Sequence, residues 1–183
     1  MKEIIQAHVN LSEDVYQIFL QSATRKEVAK NTILFHPNKV ARKYLFITSG
    51  MLRGYRIVDG KDYTHHFFRP NWFATDLESF LGNSPSSLYI ESLTAVTYYE
   101  FDKEVLEKLY ETHHQLERLG RIIAEKAYLS TVEKFSEIQT LDLRGRYQSL
   151  IKKNPQLFQD VPQKYIASYL GVSEQSLSRI KGM

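Results

Sequence analysis

The residues near the C-terminus that could do chemistry are polar side chains suited to hydrogen bonding with nucleic acid. Glu174, Gln175, Ser178, Arg179 and Lys181 fall on one side of a predicted helix, because residues three and four apart share a helix face. Arginine, glutamine and glutamate each pair well with particular base edges in the major groove of DNA. This polar face therefore suits a helix that reads the major groove.

The spacing of small and apolar residues around this helix predicts a helix-turn-helix. Ala167 suits the close contact of two helices, and Gly171, four residues on, suits a turn with left-handed backbone. Leu177, six residues further, would face back to the first helix, and Ser173 would cap the second. The alternative is an ordinary helical hairpin with the same apolar interior.

Positive charge is concentrated toward this end of the chain. Residues 111–183 hold 11 basic and 8 acidic side chains, whereas residues 1–110 hold 13 of each. A basic end on a neutral body favours an anionic partner, although a solvated basic face is the alternative. Ser173, Lys164 and Lys181 are the side chains we expect to contact phosphates.

The elements that must position this end begin with a helical segment at residues 3–22, followed by short β-like runs. Residues 26–101 are rich in Val, Ile, Tyr, Phe and Thr, with breakers such as "HPNK" and "GNSPSS" between the runs. "VDGKD" at 58–62 predicts a tight hairpin turn. The pattern predicts an α+β fold with an N-terminal jelly-roll barrel, or double-stranded β-helix, and flanking helices.

A long helix is predicted to follow the barrel at residues 113–137. Its apolar stripe includes Leu116, Leu119, Ile123 and Ala127, and we expect these four residues to contact a second copy of the chain. The alternative is a helix that simply lies on the barrel. The sequence thus divides into a barrel domain with this helix at 1–137 and a helix-turn-helix domain at 138–183.

Several classes of protein are disfavoured by composition. The chain has no cysteine, which excludes disulfides and thiolate metal sites and fits a cytoplasmic protein. No long apolar run predicts a signal peptide or a membrane span. The pairs His65-His66 and His113-His114 are poor chelates, because adjacent side chains diverge. We find no nucleophile–base pattern and no phosphate-binding glycine loop, so we expect no enzyme activity, no metal and no cofactor.

"LDLRGRYQSLIKKNP" and "VPQKYIASYLGVSEQSLSRIK" together resemble the DNA-binding domain of the Crp/Fnr family of bacterial transcription regulators. The β-rich region resembles the cyclic-nucleotide-binding-type barrel of that family, and residues 113–137 resemble its dimerisation helix. The resemblance implies a homodimer on a palindromic site in double-stranded DNA, with Glu174, Gln175 and Arg179 reading bases. The resemblance also suggests RNA polymerase as a further partner. The family's C-terminal β-hairpin wing is not evident in this sequence.

The resemblance also bears on an effector. Glu78 matches the glutamate that holds a cyclic nucleotide ribose, while Ser86, with Ser87 beside it, stands where the phosphate-binding arginine would be. Thr131 matches one of two residues that reach the base. A serine cannot supply the charged clamp of a guanidinium, so cyclic AMP is disfavoured. Another small-molecule effector, or no ligand, remains open.

The favoured function is therefore a DNA-binding transcription regulator of the Crp/Fnr type. The alternative is a ligand-binding or protein-interaction module whose helix-turn-helix is degenerate. A mobility-shift assay at increasing salt would distinguish the two functions. A regulator should bind DNA with an affinity that falls steeply with salt, whereas the module should not bind DNA.

Overall fold

The computed structural model describes residues 1–181, which combine helices with an eight-stranded antiparallel β-sandwich. The predicted α+β class with a barrel of short strands is confirmed. The strands are β1 (Ala23–Val28), β2 (Ile33–Phe35), β3 (Lys43–Ser49), β4 (Leu52–Val58), β5 (Lys61–Phe68), β6 (Phe73–Ala74), β7 (Tyr89–Ser92) and β8 (Val96–Asp102). One sheet has the order β1-β8-β3-β6 and the other β2-β7-β4-β5.

Helices lie before, between and after the strands. In chain order they are α1 (Lys2–Gln6), α2 (Glu13–Gln21), α3 (Leu77–Gly82), α4 (Lys103–Thr112), α5 (His114–Thr140), α6 (Leu143–Lys153), α7 (Leu157–Asp160), α8 (Gln163–Leu170) and α9 (Glu174–Lys181). Within residues 1–181, no helix is both long and apolar enough to cross a membrane.

Strand β8 lies at the centre of the first sheet. It pairs with β1 from Ala23 opposite Phe101 to Val28 opposite Val96, and it pairs with β3 on its other edge. Val96 and Tyr98 are buried in one cluster between the sheets, whereas Phe101, on the opposite face of the strand, is buried in the cluster that includes helix residues. The barrel is thus built around a strand that contacts two neighbours along most of its length.

Helices pack on this barrel through aromatic and aliphatic side chains. The ring of Phe19 on α2 stacks on Phe101, with centroids 4.4 Å apart. Leu116 and Leu119 of α5 belong to the same buried cluster. A Cβ at Gly120 would lie 2.9 Å from the end of the Tyr110 side chain, so glycine there lets α5 approach α4 without moving that ring. The first part of α5 is therefore an element of the barrel domain.

The contacts of the chain define two compact units. The first comprises Met1–Gly54 with Phe67–Ala127, and the second comprises Tyr55–His66 with the chain from Tyr128 onward. These units divide α5 after Ala127, whereas the organisation of the sequence predicts a domain boundary at 137. The outer part of the β4–β5 hairpin belongs to the second unit, which the sequence analysis did not predict. The hairpin is more than 60 residues away from residue 128 in the sequence, so no local pattern indicates that the two segments pack together.

The β4–β5 hairpin itself forms where the sequence predicts it. Asp59 and Gly60 connect the two strands with φ angles of 51° and 74°. Both values lie in the left-handed region that a two-residue turn requires, and Asp-Gly tolerates it. The prediction of a tight turn at "VDGKD" is confirmed.

Candidate nucleic-acid interface and barrel cassette

Helices α8 and α9 are joined by a turn whose geometry depends on Gly171. That residue has a φ of 73°, a left-handed conformation in which a side chain would be strained. The Val172 N–H donates to the Ala167 carbonyl over 3.0 Å, which closes the C-terminus of α8. The turn therefore ends one helix and starts the next within three residues.

The apolar residues of this unit hold the two helices together. Ile166, Ala167 and Leu170 of α8 are almost fully buried, and Leu177 of α9 has no exposed surface. Ala167 and Leu177 thus take the inward positions that their spacing predicts. Burying an aliphatic side chain of this size contributes about 1.5–3 kcal/mol, so this contact sets which face of α9 turns outward.

The outward face of α9 carries the side chains that the sequence assigns to base reading. Glu174, Gln175 and Arg179 are all exposed. In the part of the chain that the structure describes, neither Glu174 nor Arg179 forms an ion pair, so the surface salt bridge that could have occupied Arg179 is not observed. These side chains remain available to a ligand.

The three residues expected at phosphates have different surroundings. The Ser173 hydroxyl accepts from the Ser176 N–H over 3.2 Å, so it caps α9 as predicted. The Lys164 ammonium lies 4.8 Å from the centroid of its neighbour Tyr165, and that of Lys181 lies 6.0 Å from the Phe158 ring. Both lysines are exposed and can leave these weak contacts.

Helix α6 supports this pair of helices with contacts that the sequence did not indicate. The Asp142 carboxylate caps α6 by accepting from the Gly145 N–H over 2.8 Å. The Arg146 guanidinium donates to the Leu170 carbonyl over 3.2 Å, which satisfies the exposed end of α8. The "LDLRGR" motif thus caps α6 and holds the C-terminal end of α8.

A carboxylate network joins α6 to the end of α5. Glu137 accepts from the Ser149 hydroxyl over 2.5 Å and pairs with Lys153 at 2.7 Å. Partial burial alone would raise the pKa of Glu137, but the hydrogen bonds from Lys153 and Ser149 outweigh it and lower that pKa. Glu137 is thus held in its charged form at neutral pH, which keeps α6 attached to α5.

The barrel cassette at residues 72–93 differs from the sequence expectation. Glu78 is exposed on α3, whereas the carboxylate beside Ser86 is that of Asp76. The Ser86 hydroxyl donates to Asp76 over 2.6 Å and accepts from the Leu88 N–H over 2.9 Å. Asp76 also accepts from the Ser79 N–H over 3.4 Å as the cap of α3. Asp76, which the sequence reasoning missed, is therefore the acidic residue of this cassette.

The hydrogen bond between Asp76 and Ser86 leaves neither side chain available to a ligand. Asp76 and Ser86 are only 5% and 4% exposed. The single hydroxyl proton of Ser86 is used on Asp76, so it is not free to bind an anion. Ser87 and Thr131, the other candidate effector contacts, are both exposed, and Thr131 belongs to the second unit.

The apolar stripe of α5 separates into a buried and an exposed part. Leu116 and Leu119 are 0% and 2% exposed in the cluster where helices pack on the barrel, so they are not available to a second chain. Ile123 packs on the same core, and Ala127 is half-buried. The apolar residues that stay exposed lie further along: Tyr128, Leu129, Val132, Phe135, Ile138 and Leu141.

Histidines and acids do not assemble into a metal site among residues 1–181. His66 is half-buried in the β4–β5 hairpin. Burial, followed by the positive charges of Lys134 and His65, lowers the pKa of His66 to about 4. Burial also lowers the pKa of Lys134 to about 8. His66 is thus neutral at physiological pH.

Comparison with known proteins identifies the barrel. Residues 25–113 match the family described as the cyclic nucleotide-binding domain. No protein among curated sequences matches the chain.

Solved structures extend the likeness beyond the barrel. A mutant of CooA from Carboxydothermus hydrogenoformans has a TM-score of 0.73 at 14% identity, over 97% of this chain and 86% of that one. A protein of Eubacterium rectale assigned to the crp/fnr family of transcriptional regulators has a TM-score of 0.73 at 15% identity, over 93% of this chain and 82% of that one. The c-di-GMP responsive regulator CLP of Xanthomonas campestris has 0.70 at 18% identity, over 93% and 90%. Residues 25–113 are therefore similar to the cyclic nucleotide-binding domain family, and the chain has the fold seen in solved Crp/Fnr-type regulators.

Proposed function

We propose that the chain is a DNA-binding transcription regulator that reads a palindromic operator as a homodimer. The observation that carries the proposal is the two-sided character of α9. Glu174, Gln175 and Arg179 are exposed on one side, while Leu177 is completely buried on the other. A recognition helix needs this arrangement, because one side must be fixed to the protein while the other enters the major groove.

Each side chain has a base that it suits. Arginine pairs with O6 and N7 of guanine, glutamine with adenine, and glutamate with the amino group of cytosine. Ser173, Lys164 and Lys181 would contact phosphates, which sets the position of the helix on the duplex but not the sequence it prefers. The basic excess of residues 111–183 supports the same assignment.

The proposed dimer contact uses the second half of α5. Tyr128, Val132 and Phe135 follow one another at steps of four and three residues, which gives a continuous seam along the helix. Tyr128 and Phe135 are 68% and 60% exposed, an arrangement that favours burial against another apolar face. A second copy of this helix supplies such a face by two-fold symmetry. The half-sites would then lie about 10 base pairs apart.

The barrel is proposed to act without cyclic AMP. A cyclic nucleotide would bring its phosphate to Ser86, where the Asp76 carboxylate already accepts the hydroxyl proton. Two anions within a few ångströms in a buried site repel each other strongly. An effector, where one acts, would therefore differ from cyclic AMP in its charge.

The test is selection of bound sequences from random double-stranded DNA, followed by mobility-shift titrations at increasing salt. We expect enrichment of a two-fold symmetric sequence and an affinity that falls steeply with salt. Equal binding to every sequence would contradict base reading by α9. An absence of DNA binding at low salt would favour an interaction module over a regulator.

A further inference from the structure

The Ser168 hydroxyl on α8 forms two hydrogen bonds with the β4–β5 hairpin. The Ser168 hydroxyl accepts from the Thr64 N–H over 2.8 Å and donates to the Asp62 carbonyl over 2.9 Å. Both partners are backbone groups of β5, so the contact depends on the position of the strand and not on its side chains. Ser168 thus engages the edge of the hairpin with both of its hydrogen-bonding functions.

A second contact fastens the same hairpin to α5. The Lys134 ammonium donates to the His65 carbonyl over 2.9 Å. It also lies 4.0 Å from the ring centroid of Tyr169 on α8, within cation–π distance. Consecutive residues of β5 are therefore held by α8 and by α5 together.

We propose that this hairpin is an autoinhibitory strap, which in its docked position keeps DNA away from the face of α8 that carries Lys164. The inference rests on the proposed DNA-binding function. Lys164 and Ser168 are four residues apart on α8, so they share a face and are separated by about one turn, or 5.4 Å. The first helix of a helix-turn-helix crosses the DNA backbone. The hairpin and a phosphate strand therefore compete for one face of α8.

The hairpin is continuous with the barrel sheet. Its two strands, β4 and β5, begin and end at Leu52 and Phe68 in the sheet of order β2-β7-β4-β5. The strap is therefore an extension of two barrel strands.

The test uses the full chain with Ser168→Ala, which removes both hydrogen bonds to β5. We expect faster amide hydrogen exchange at Thr64, and binding to a labelled duplex of random sequence at low salt that is about five- to tenfold tighter than for the wild type. Lys134→Met is a second, independent variant, because it removes the ammonium but keeps the apolar stem. It should change both measurements in the same direction.

Two control variants isolate the contact. Ser168→Thr keeps the hydroxyl and should behave as the wild type. Ser130→Ala removes an exposed hydroxyl on α5 that lies outside the strap, and it should change neither exchange nor affinity.

The outcomes separate the strap from the proposed function. Faster exchange at Thr64 with unchanged or weaker DNA binding would overturn autoinhibition. Exchange at Thr64 that stays slow in both Ser168→Ala and Lys134→Met would overturn the strap itself. A wild type and variants that all fail to bind DNA, while exchange responds as expected, would refute the DNA-binding function and leave the docking contact established.

Discussion

The Ser86 hydroxyl and the Asp76 carboxylate form a 2.6 Å hydrogen bond inside the barrel cassette. Both residues are almost completely buried, and within residues 1–181 no lysine or arginine neutralises Asp76. The carboxylate therefore depends on hydrogen bonds from Ser86 and from the Ser79 N–H. A buried anion held in this way makes the cassette part of the fold and a poor receptor for a second anion.

Replacement of Ser86 by alanine should therefore destabilise the protein. The variant leaves the buried Asp76 carboxylate with one donor fewer, at a cost of about 1–3 kcal/mol in the free energy of unfolding. Urea unfolding followed by circular dichroism measures the change. Ser87→Ala is the matched control, because Ser87 is exposed, and it should change the free energy of unfolding by less than about 0.5 kcal/mol. Equal effects of the two variants would contradict the role given to Ser86.

Cyclic AMP should not bind the barrel. Calorimetric titration of the full chain with millimolar nucleotide should give no saturable heat, because the phosphate would meet the Asp76 carboxylate. Saturation at micromolar concentration would show that the cassette opens and that the hydrogen bond between Asp76 and Ser86 is broken in the complex.

Phe135→Glu should convert a dimer to monomers without unfolding the chain. Phe135 is 60% exposed on the seam of α5, so a charge there costs little in the monomer but much in a buried helix contact. Sedimentation equilibrium at micromolar concentration measures the change. Ser130→Glu adds the same charge on the opposite side of the helix and should leave the dimer intact.

Leu119→Glu should unfold the protein, in contrast to Phe135→Glu, which should give folded monomers. Leu119 is buried in the cluster where helices pack on the barrel, so a charge there should unfold the first unit and not simply separate the subunits. A wild-type protein that sediments as a monomer at micromolar concentration would contradict the proposed dimer.

Arg179→Ala should weaken binding to the selected sequence by about 1–3 kcal/mol and relax the choice at one position in each half-site. Lys164→Ala should instead weaken all sequences alike and lower the salt slope by about one unit. Arg118→Ala removes an exposed arginine from the first unit and should do neither. An unchanged ranking of sequences with Arg179→Ala would refute base reading by that residue.

The stability of the protein should rise between about pH 4 and pH 6.5 because of His66. Its pKa is lowered to about 4 in the folded chain, against an ordinary value of 6.5, so the unfolded chain binds more protons in that window. Stability contributed by the neutral imidazole is complete above pH 6.5 and is lost as the pH falls toward 4. Urea unfolding at both pH values should show a smaller difference for His66→Gln than for the wild type. His114→Gln, at a largely exposed histidine, should keep the wild-type difference.

The two packed helices α8 and α9 could be predicted from the sequence because their constraints are local. Gly171 must take a left-handed conformation, and Ala167 and Leu177 must meet within one small unit, so all three requirements lie within eleven residues. The Asp-Gly turn of the β4–β5 hairpin is predictable for the same reason. Backbone sterics act within a few residues and leave a direct mark on the sequence.

The hydrogen bonds of the barrel cassette and the burial of the apolar stripe on α5 could not be predicted from the sequence. The family resemblance points to Glu78 and does not indicate Asp76, although Asp76, three residues before Ser79, is a suitable N-cap for α3. The stripe through Leu116 and Leu119 shows that a face is apolar but not which surface covers it. The contact of Ser168 with Thr64 spans 104 residues and uses backbone groups, so it has no sequence signature at all.

The membership of residues 55–66 in the second unit has a consequence for dissecting the protein by truncation. A fragment that starts at residue 138 would lack both the β5 edge that Ser168 engages and the lysine that holds His65. Its few buried aliphatic side chains would then have to support about 45 residues alone, near the lower limit of size for an unassisted fold. Loss of DNA binding by such a fragment would therefore report loss of structure. Internal deletions within Asp59–Asp62 keep every other part of the chain and are the sharper way to remove the hairpin tip.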